Sequence, residues 1–260
     1  MSIPPRWRKV ARDLLSHKLR TALVVLSIAV GIFAILVVMG GRGILLQAFD
    51  ANFAKSNAAN GTLRTSGFDQ MLVDRVRRVP GVADAEGRRV VSLRYRLGDL
   101  TGLVETPAQV TEAQRPVSIT LTAAKDWTAS KLDEVFPQSG ADWPPARDEV
   151  VLEVSDKQTA SLSVGDFITV DTTTGDRKLL RVAGFAHDIN AFPAMFVGQI
   201  SGYVSLSTMA DLGVRAGMDQ LLIRLDVPGL TRAGATRIVS HIRDEVIAPT
   251  GVVTYNTSVP

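Results

Sequence analysis

The chain has 260 residues, 46% of them hydrophobic, with no cysteine and a formal net charge of +3. That length supports one large or two small domains with real cores, and the missing thiols exclude disulfides, thiol catalysis and cysteine-based metal sites. In the first twenty residues Arg6, Arg8, Lys9, Arg12, Lys18 and Arg20 face only Asp13, a net of +5 that leaves −2 for the rest and excludes a basic nucleic-acid-binding face on the folded part.

Within 1–20 the apolar residues Trp7, Val10, Ala11, Leu14 and Leu15 follow the three-and-four spacing of one helical face, with Arg8, Arg12 and Lys18 largely off it. Such a segment is either a plain topogenic tail or a helix lying on the inner membrane surface, its cations toward lipid phosphates. Residues 21–39, TALVVLSIAVGIFAILVVM, carry no charge. At about 1.5 Å rise per residue they span roughly 28 Å, close to the hydrocarbon thickness of about 30 Å, which predicts one retained transmembrane helix. Only Arg42 lies close behind this stretch, so the positive-inside rule places the N-terminus in the cytoplasm and the residues beyond outside the cell membrane.

Residues 40–67 read as a stalk and linker. Leu46, Phe49 and Phe53 recur at helical spacing up to Lys55, and Ser56 to Gly67, rich in Ser, Asn, Gly and Thr, reads as a loop. An extracytoplasmic domain is expected over 68–260. It opens with a helix at Phe68–Val79, striped by Phe68, Met71, Leu72, Val76 and Val79 and ended by Pro80-Gly81. Alternation predicts strands at Val91–Leu97 and Val117–Leu121, and a β-rich lobe is expected at about 120–200. Within it, Trp143-Pro144-Pro145 fits neither helix nor central strand, and Glu149–Glu153 is a short strand. Phe167–Asp171 and Lys178–Phe185 flank Thr172–Asp176 as a hairpin, and Gly202–Leu206 is a strand followed by a short helix capped by Ser207. The end mirrors the beginning: strand Leu221–Asp226, helix Thr231–Ile247 with Ile238, Val239, Ile242 and Val246 inward, and strand Gly251–Tyr255. The fold class is therefore α+β: a single N-terminal transmembrane helix, then a mixed α/β domain with an inserted β-rich lobe.

Nothing in the sequence points to catalysis, a cofactor or a metal. His17 lies in the basic segment, His187-Asp188 has no second histidine nearby, and His241 reads as a solvated helix position. Asp84-Ala85-Glu86 and Asp133-Glu134 are carboxylate pairs expected at the surface. There is no G-x-S-x-G elbow, and no phosphate loop with which the chain could hold ATP.

The stretch from Trp7 to Thr21, WRKVARDLLSHKLRT, continued by Leu23, Leu26, Ile28, Gly31 and Ile32, resembles the start of MacB/FtsX-type ABC-transporter permeases, also called type VII exporters or mechanotransmitters. Further on, Val79-Pro80-Gly81-Val82, Leu162–Val170, Arg181–Phe185 and Gly202–Leu206 look like successive turns and strands of the MacB-like periplasmic core domain. The resemblance implies an inner-membrane protein that is not an enzyme. ATP would be bound by a separate cytoplasmic ATPase, and the partners would be a second copy or a paralogous permease together with membrane lipid. It also implies that Arg6, Trp7, Arg8, Arg12, Lys18 and Arg20 couple to that ATPase at the membrane surface, and that the stalk residues Leu46, Phe49 and Phe53 carry motion outward. The cargo class would be export substrates, lipids or lipoproteins. Family permeases have four membrane helices, three of them after this domain, so a chain ending at Pro260 is expected to be a fragment, or a split or degenerate gene product. The competing expectation is a self-standing single-pass anchor with a ligand-binding or regulatory outer domain.

Overall fold

The computed structural model describes residues 19, 22–23, 25–33, 36, 57–97, 117–160, 162–191 and 194–260. Contact density divides the chain into Met1–Asn52 and Phe53–Pro260. In the first unit, the described residues between 22 and 36 are helical, and every large apolar side chain among them, from Leu23 to Leu36, keeps more than half its surface exposed. Among the described residues no helix is long and apolar enough to cross a membrane; the predicted span at 21–39 lies only partly within them.

In the second unit the strands are β1 (Gly61–Phe68), β2 (Val82–Leu97), β3 (Val117–Ala124), β4 (Phe136–Pro137), β5 (Glu149–Glu153), β6 (Phe167–Asp171), β7 (Arg177–His187), β8 (Gln199–Val204), β9 (Met218–Leu225) and β10 (Thr254–Ser258). The helices are α1 (Gln70–Arg77), α2 (Asp156–Ala160), α3 (Ala194–Val197), α4 (Leu206–Asp211) and α5 (Arg232–His241). The two ends of the unit form β1-α1-β2 and β9-α5-β10. Their strands lie in the order β10-β1-β9-β2 with every neighbour antiparallel, which is the split βαβ arrangement. Leu72, Val73 and Val76 of α1 and Ala235 and Val239 of α5 bury against Leu63, Leu221, Ile223 and Leu225 on one face of this sheet.

Everything between β2 and β9 is the insertion, and together with β2 it closes into a barrel. Hydrogen-bonded pairs run β2-β3, β3-β8, β8-β5, β5-β7, β7-β6 and β6-β2, a ring of six strands. Alternation sends Ile119, Leu121, Val150, Leu152, Ile168, Val170, Leu180, Val182, Ile200 and Val204 into the barrel, all fully or almost fully buried. Gly202 faces the same interior. A Cβ there would lie 2.8 Å from Val150 and 3.0 Å from Leu121, so the glycine makes room for both. On the outside, a strap over 125–145 covers Val151, Ala183 and Tyr203 with Trp127, Val135 and Trp143. The α+β class and the inserted β lobe agree with the sequence pattern.

Some local expectations need correction. Residues 61–68, expected to be part of a loop apart from Phe68, are the strand β1 between β9 and β10, with Leu63 and Thr65 buried. Phe68 ends that strand, so the helix starts two residues later under an Asp69 cap whose carboxylate accepts from the Leu72 N–H. Met71, placed on the apolar stripe, is 71% exposed, because the buried face runs through Leu72, Val73 and Val76. Ser205, not Ser207, caps α4, accepting from the Thr208 N–H at 3.2 Å. The helix after Thr231 is α-helical only to His241, then continues as a π-helical stretch over Ile242–Ile247. The 167–171/177–187 hairpin and the Glu149–Glu153 strand stand as expected.

Candidate functional site: a clamp on the entering chain

Residues 57–60 lead into β1 within the second unit, and six hydrogen bonds hold them. On the strand side, the Asn60 N–H donates to Ile223 O at 2.8 Å, Arg224 Nη1 to Ala58 O at 2.5 Å, and the Leu225 N–H to Asn60 Oδ1 at 2.8 Å. On the barrel side, the Ala59 N–H donates to Asp133 Oδ1 at 2.9 Å, Asn57 Nδ2 to Lys131 O at 3.1 Å, and the Asp133 N–H to Asn57 O at 3.4 Å. Leu132 and Leu222 close over Ala59. The incoming segment is thus gripped between β9 of the split βαβ sheet and a loop of the inserted lobe.

That loop is itself pinned to β2. Glu86 and Arg88 stand two apart on the strand and so share a face. Glu86 accepts from the Lys131 N–H at 2.6 Å, the Leu132 N–H at 3.0 Å and the Ser130 hydroxyl at 2.8 Å. The buried Arg88 donates through Nη2 to Leu132 O at 2.5 Å, Asp133 O at 2.9 Å and Ser130 Oγ at 3.3 Å, and its guanidinium lies 5.4 Å from the centre of the Trp127 ring. Burial pushes the Asp133 carboxyl above its usual range, against the Ala59 hydrogen bond and the nearby Arg88 charge; Asp188 pushes it further. Asp188 in turn accepts from the Tyr203 hydroxyl at 2.6 Å, and Tyr203 packs edge-on against Trp127, their centres 5.6 Å apart. A continuous polar and aromatic path therefore leads from the entering backbone to the wall of the barrel.

At the barrel end, burial pushes the Asp156 carboxyl up to about 6, opposed by hydrogen bonds from the Ser201 N–H at 2.7 Å and the Ala194 N–H at 3.2 Å; Glu153 adds to the rise. A carboxyl raised above its unfolded value binds its proton more readily in the folded state. Its contribution to stability is present at low pH and is lost as pH rises from about 4 to about 6. The fall in melting temperature caused by Asp156→Asn is therefore expected to be larger at about pH 4 than at about pH 7. Equal falls would contradict this titration.

The residues expected to couple to an ATPase, Arg6, Trp7, Arg8, Arg12, Lys18 and Arg20, and the stalk residues Leu46, Phe49 and Phe53, lie outside the described residues. Of the carboxylate pairs expected at the surface, Asp84 is indeed a surface partner, of Arg77 at 2.9 Å, but Glu86 and Asp133 belong to the clamp. His187 is exposed, with its imidazole 3.5 Å from the buried Glu153. Among the described residues no cluster of His, Asp and Glu is suited to a metal.

No protein-family model matches the chain, and no curated protein matches it. Solved structures do. The extracellular domain of the noncanonic ABC-type transporter YknZ from Gram-positive bacteria is similar over 75% of this chain and 100% of its own, with a TM-score of 0.45 and 11% identity. The periplasmic region of MacB from Actinobacillus actinomycetemcomitans is similar over 80% of this chain and 94% of its own, with a TM-score of 0.43 and 11% identity. A domain of a protein described as a permease from Porphyromonas gingivalis is similar over 77% and 88%, with a TM-score of 0.40 and 10% identity.

Proposed function

We propose that this chain is the portion of a MacB/FtsX-type ABC-transporter permease subunit that holds the first membrane helix and the extracytoplasmic domain. The observation that carries the reading is the helix between 22 and 36. Its described large apolar side chains are exposed, on every side, and such a surface requires lipid or other apolar cover. The net +5 of residues 1–20 on one side of that helix sets its cytoplasmic end.

In this reading the chain is not an enzyme and binds no cofactor. A separate cytoplasmic ATPase binds ATP and meets the segment carrying Arg6, Trp7, Arg8, Arg12, Lys18 and Arg20. Its motion passes through the membrane helix and the stalk residues Leu46, Phe49 and Phe53 to residues 57–60. The clamp there supports coupling, because a pull on the entering backbone is borne at once by β9 and by the Leu132–Asp133 loop. The subunit works with a second copy or a paralogous permease in the inner membrane, in export or in lipid or lipoprotein handling.

Because the chain has no cysteine, single thiols report its topology without background. A membrane-impermeant maleimide is expected to label the exposed position of Gln138→Cys in intact cells, and Ser2→Cys only after permeabilisation. In the same cells, reversing charge with Arg8→Glu and Arg12→Glu is expected to abolish co-purification of an ABC ATPase while leaving the Gln138→Cys labelling intact. Labelling of Ser2→Cys from outside sinks the topology; unchanged co-purification sinks the coupling.

A further inference from the structure

On the helical side of the split βαβ sheet, an open cleft of about 510 Å³ separates the α1–β2 turn from α5. This lies within the range of small-molecule sites, about 300–1,000 Å³. Its floor is formed by Val79, Val227, Leu230 and Ile238, all half-buried, of which Val79, Leu230 and Ile238 pack on the core below. Gly229 and Gly234 line it too, and a Cβ at Gly229 would meet nothing within 4 Å, so the floor stays uncovered at that end.

The rim is cationic. Arg237 and His241 are four residues apart on α5 and therefore stand on one helical face, one turn from each other. Both are exposed, and Arg237 has no ion pair or hydrogen bond to any described residue. Asp244, which interacts electrostatically with His241, has both of its oxygens taken by Arg243, at 2.7 Å and 2.9 Å. A half-buried apolar floor beside an unpaired guanidinium and an imidazole is complementary to one chemistry: an apolar chain ending in a single negative group.

We propose that this cleft binds a single-chain anionic amphiphile, a fatty carboxylate, with its chain along Val79, Val227, Leu230 and Ile238 and its carboxylate at Arg237 and His241. A volume of about 510 Å³ suits one acyl chain and is small for a two-chain phospholipid. The inference does not rest on the transport reading, since the cleft is built within 53–260 and needs no ATPase.

The test uses the full chain in phosphatidylcholine nanodiscs with two photoreactive probes, a diazirine-bearing palmitate and the corresponding fatty alcohol. The carboxylate probe is expected to crosslink within 227–241 about tenfold more than the alcohol, the size of one hydrogen bond to a charged group. Arg237→Glu should remove that excess, and it leaves no described partner unsatisfied. Gly234→Leu, which fills the groove without touching the charge, should lower crosslinking of the acid there to the level of the alcohol. Equal labelling by acid and alcohol overturns the proposal, as does labelling unchanged by Arg237→Glu, or labelling confined to 19–36, which would mark both probes as membrane solutes.

Discussion

Arg88→Ala is expected to destabilise the second unit by about 3–5 kcal/mol, the range for breaking a buried charged contact by removing one partner. The side chain is 5% exposed, and its loss strips donors from Leu132 O and Asp133 O while leaving the Asp133 carboxyl buried without its nearby positive charge. The damage should be local first, because the same loop grips the entering backbone at Asn57 and Ala59. Two measurements check it. Denaturant unfolding can be followed by tryptophan fluorescence, since Trp127 and Trp143 are two of the chain's three tryptophans. Limited proteolysis should cut between 126 and 135 in the variant before any other site. A midpoint within error of the parent would mean that Arg88 only decorates the loop.

The second large effect concerns a contact with no polar component. Gly184 lies on β7 where the strap over 138–142 crosses it, with Gln138 N donating to Phe185 O at 2.9 Å and Asp142 N to Ala183 O at 3.0 Å. A Cβ at 184 would stand 2.3 Å from Ala141 Cβ and 2.6 Å from Ala141 Cα. The second of these is backbone, so the strap cannot yield by a rotamer change and must lift, breaking both hydrogen bonds. Gly184→Ala should therefore cost about 1–3 kcal/mol, as overpacking does. Adding Ala141→Gly relieves the Cβ clash but leaves the Cα clash, so thermal melts of the double variant should recover only part of the loss. Full recovery would show that the backbone there is free to move.

The elements that could be read from the sequence are those whose side-chain pattern is local. Glu149–Glu153 and the 167–171/177–187 hairpin carry their alternation and turn residues within a few positions. The strand β1 was hidden for the opposite reason. It is central, paired on both sides, and packed so tightly beneath α5 that Gly61 would meet Val239 at 2.5 Å with any side chain at all. Small and polar residues are what that position requires, and they are also what a loop looks like. Barrel closure left no local trace either, since β6 meets β2 through only three residue pairs more than seventy positions apart. The clamp was illegible because Glu86 and Asp133 look like surface carboxylates until the fold brings the 130–133 backbone against β2.

β2 belongs to both halves of the unit at once. Its residues 82–88 pair with β9, and 88–95 pair with β3, so Arg88 stands at the handover between the two. At about 3.3 Å per residue its sixteen residues make a continuous beam of roughly 50 Å. The lobe is therefore not a detachable cassette: excising 98–217 would leave β2 with a bare flank, and the excised piece would lack one stave of its barrel. Exchange of lobes between related scaffolds must carry this strand along, and evolution is expected to have altered the lobe by lengthening its loops sooner than by replacing it whole.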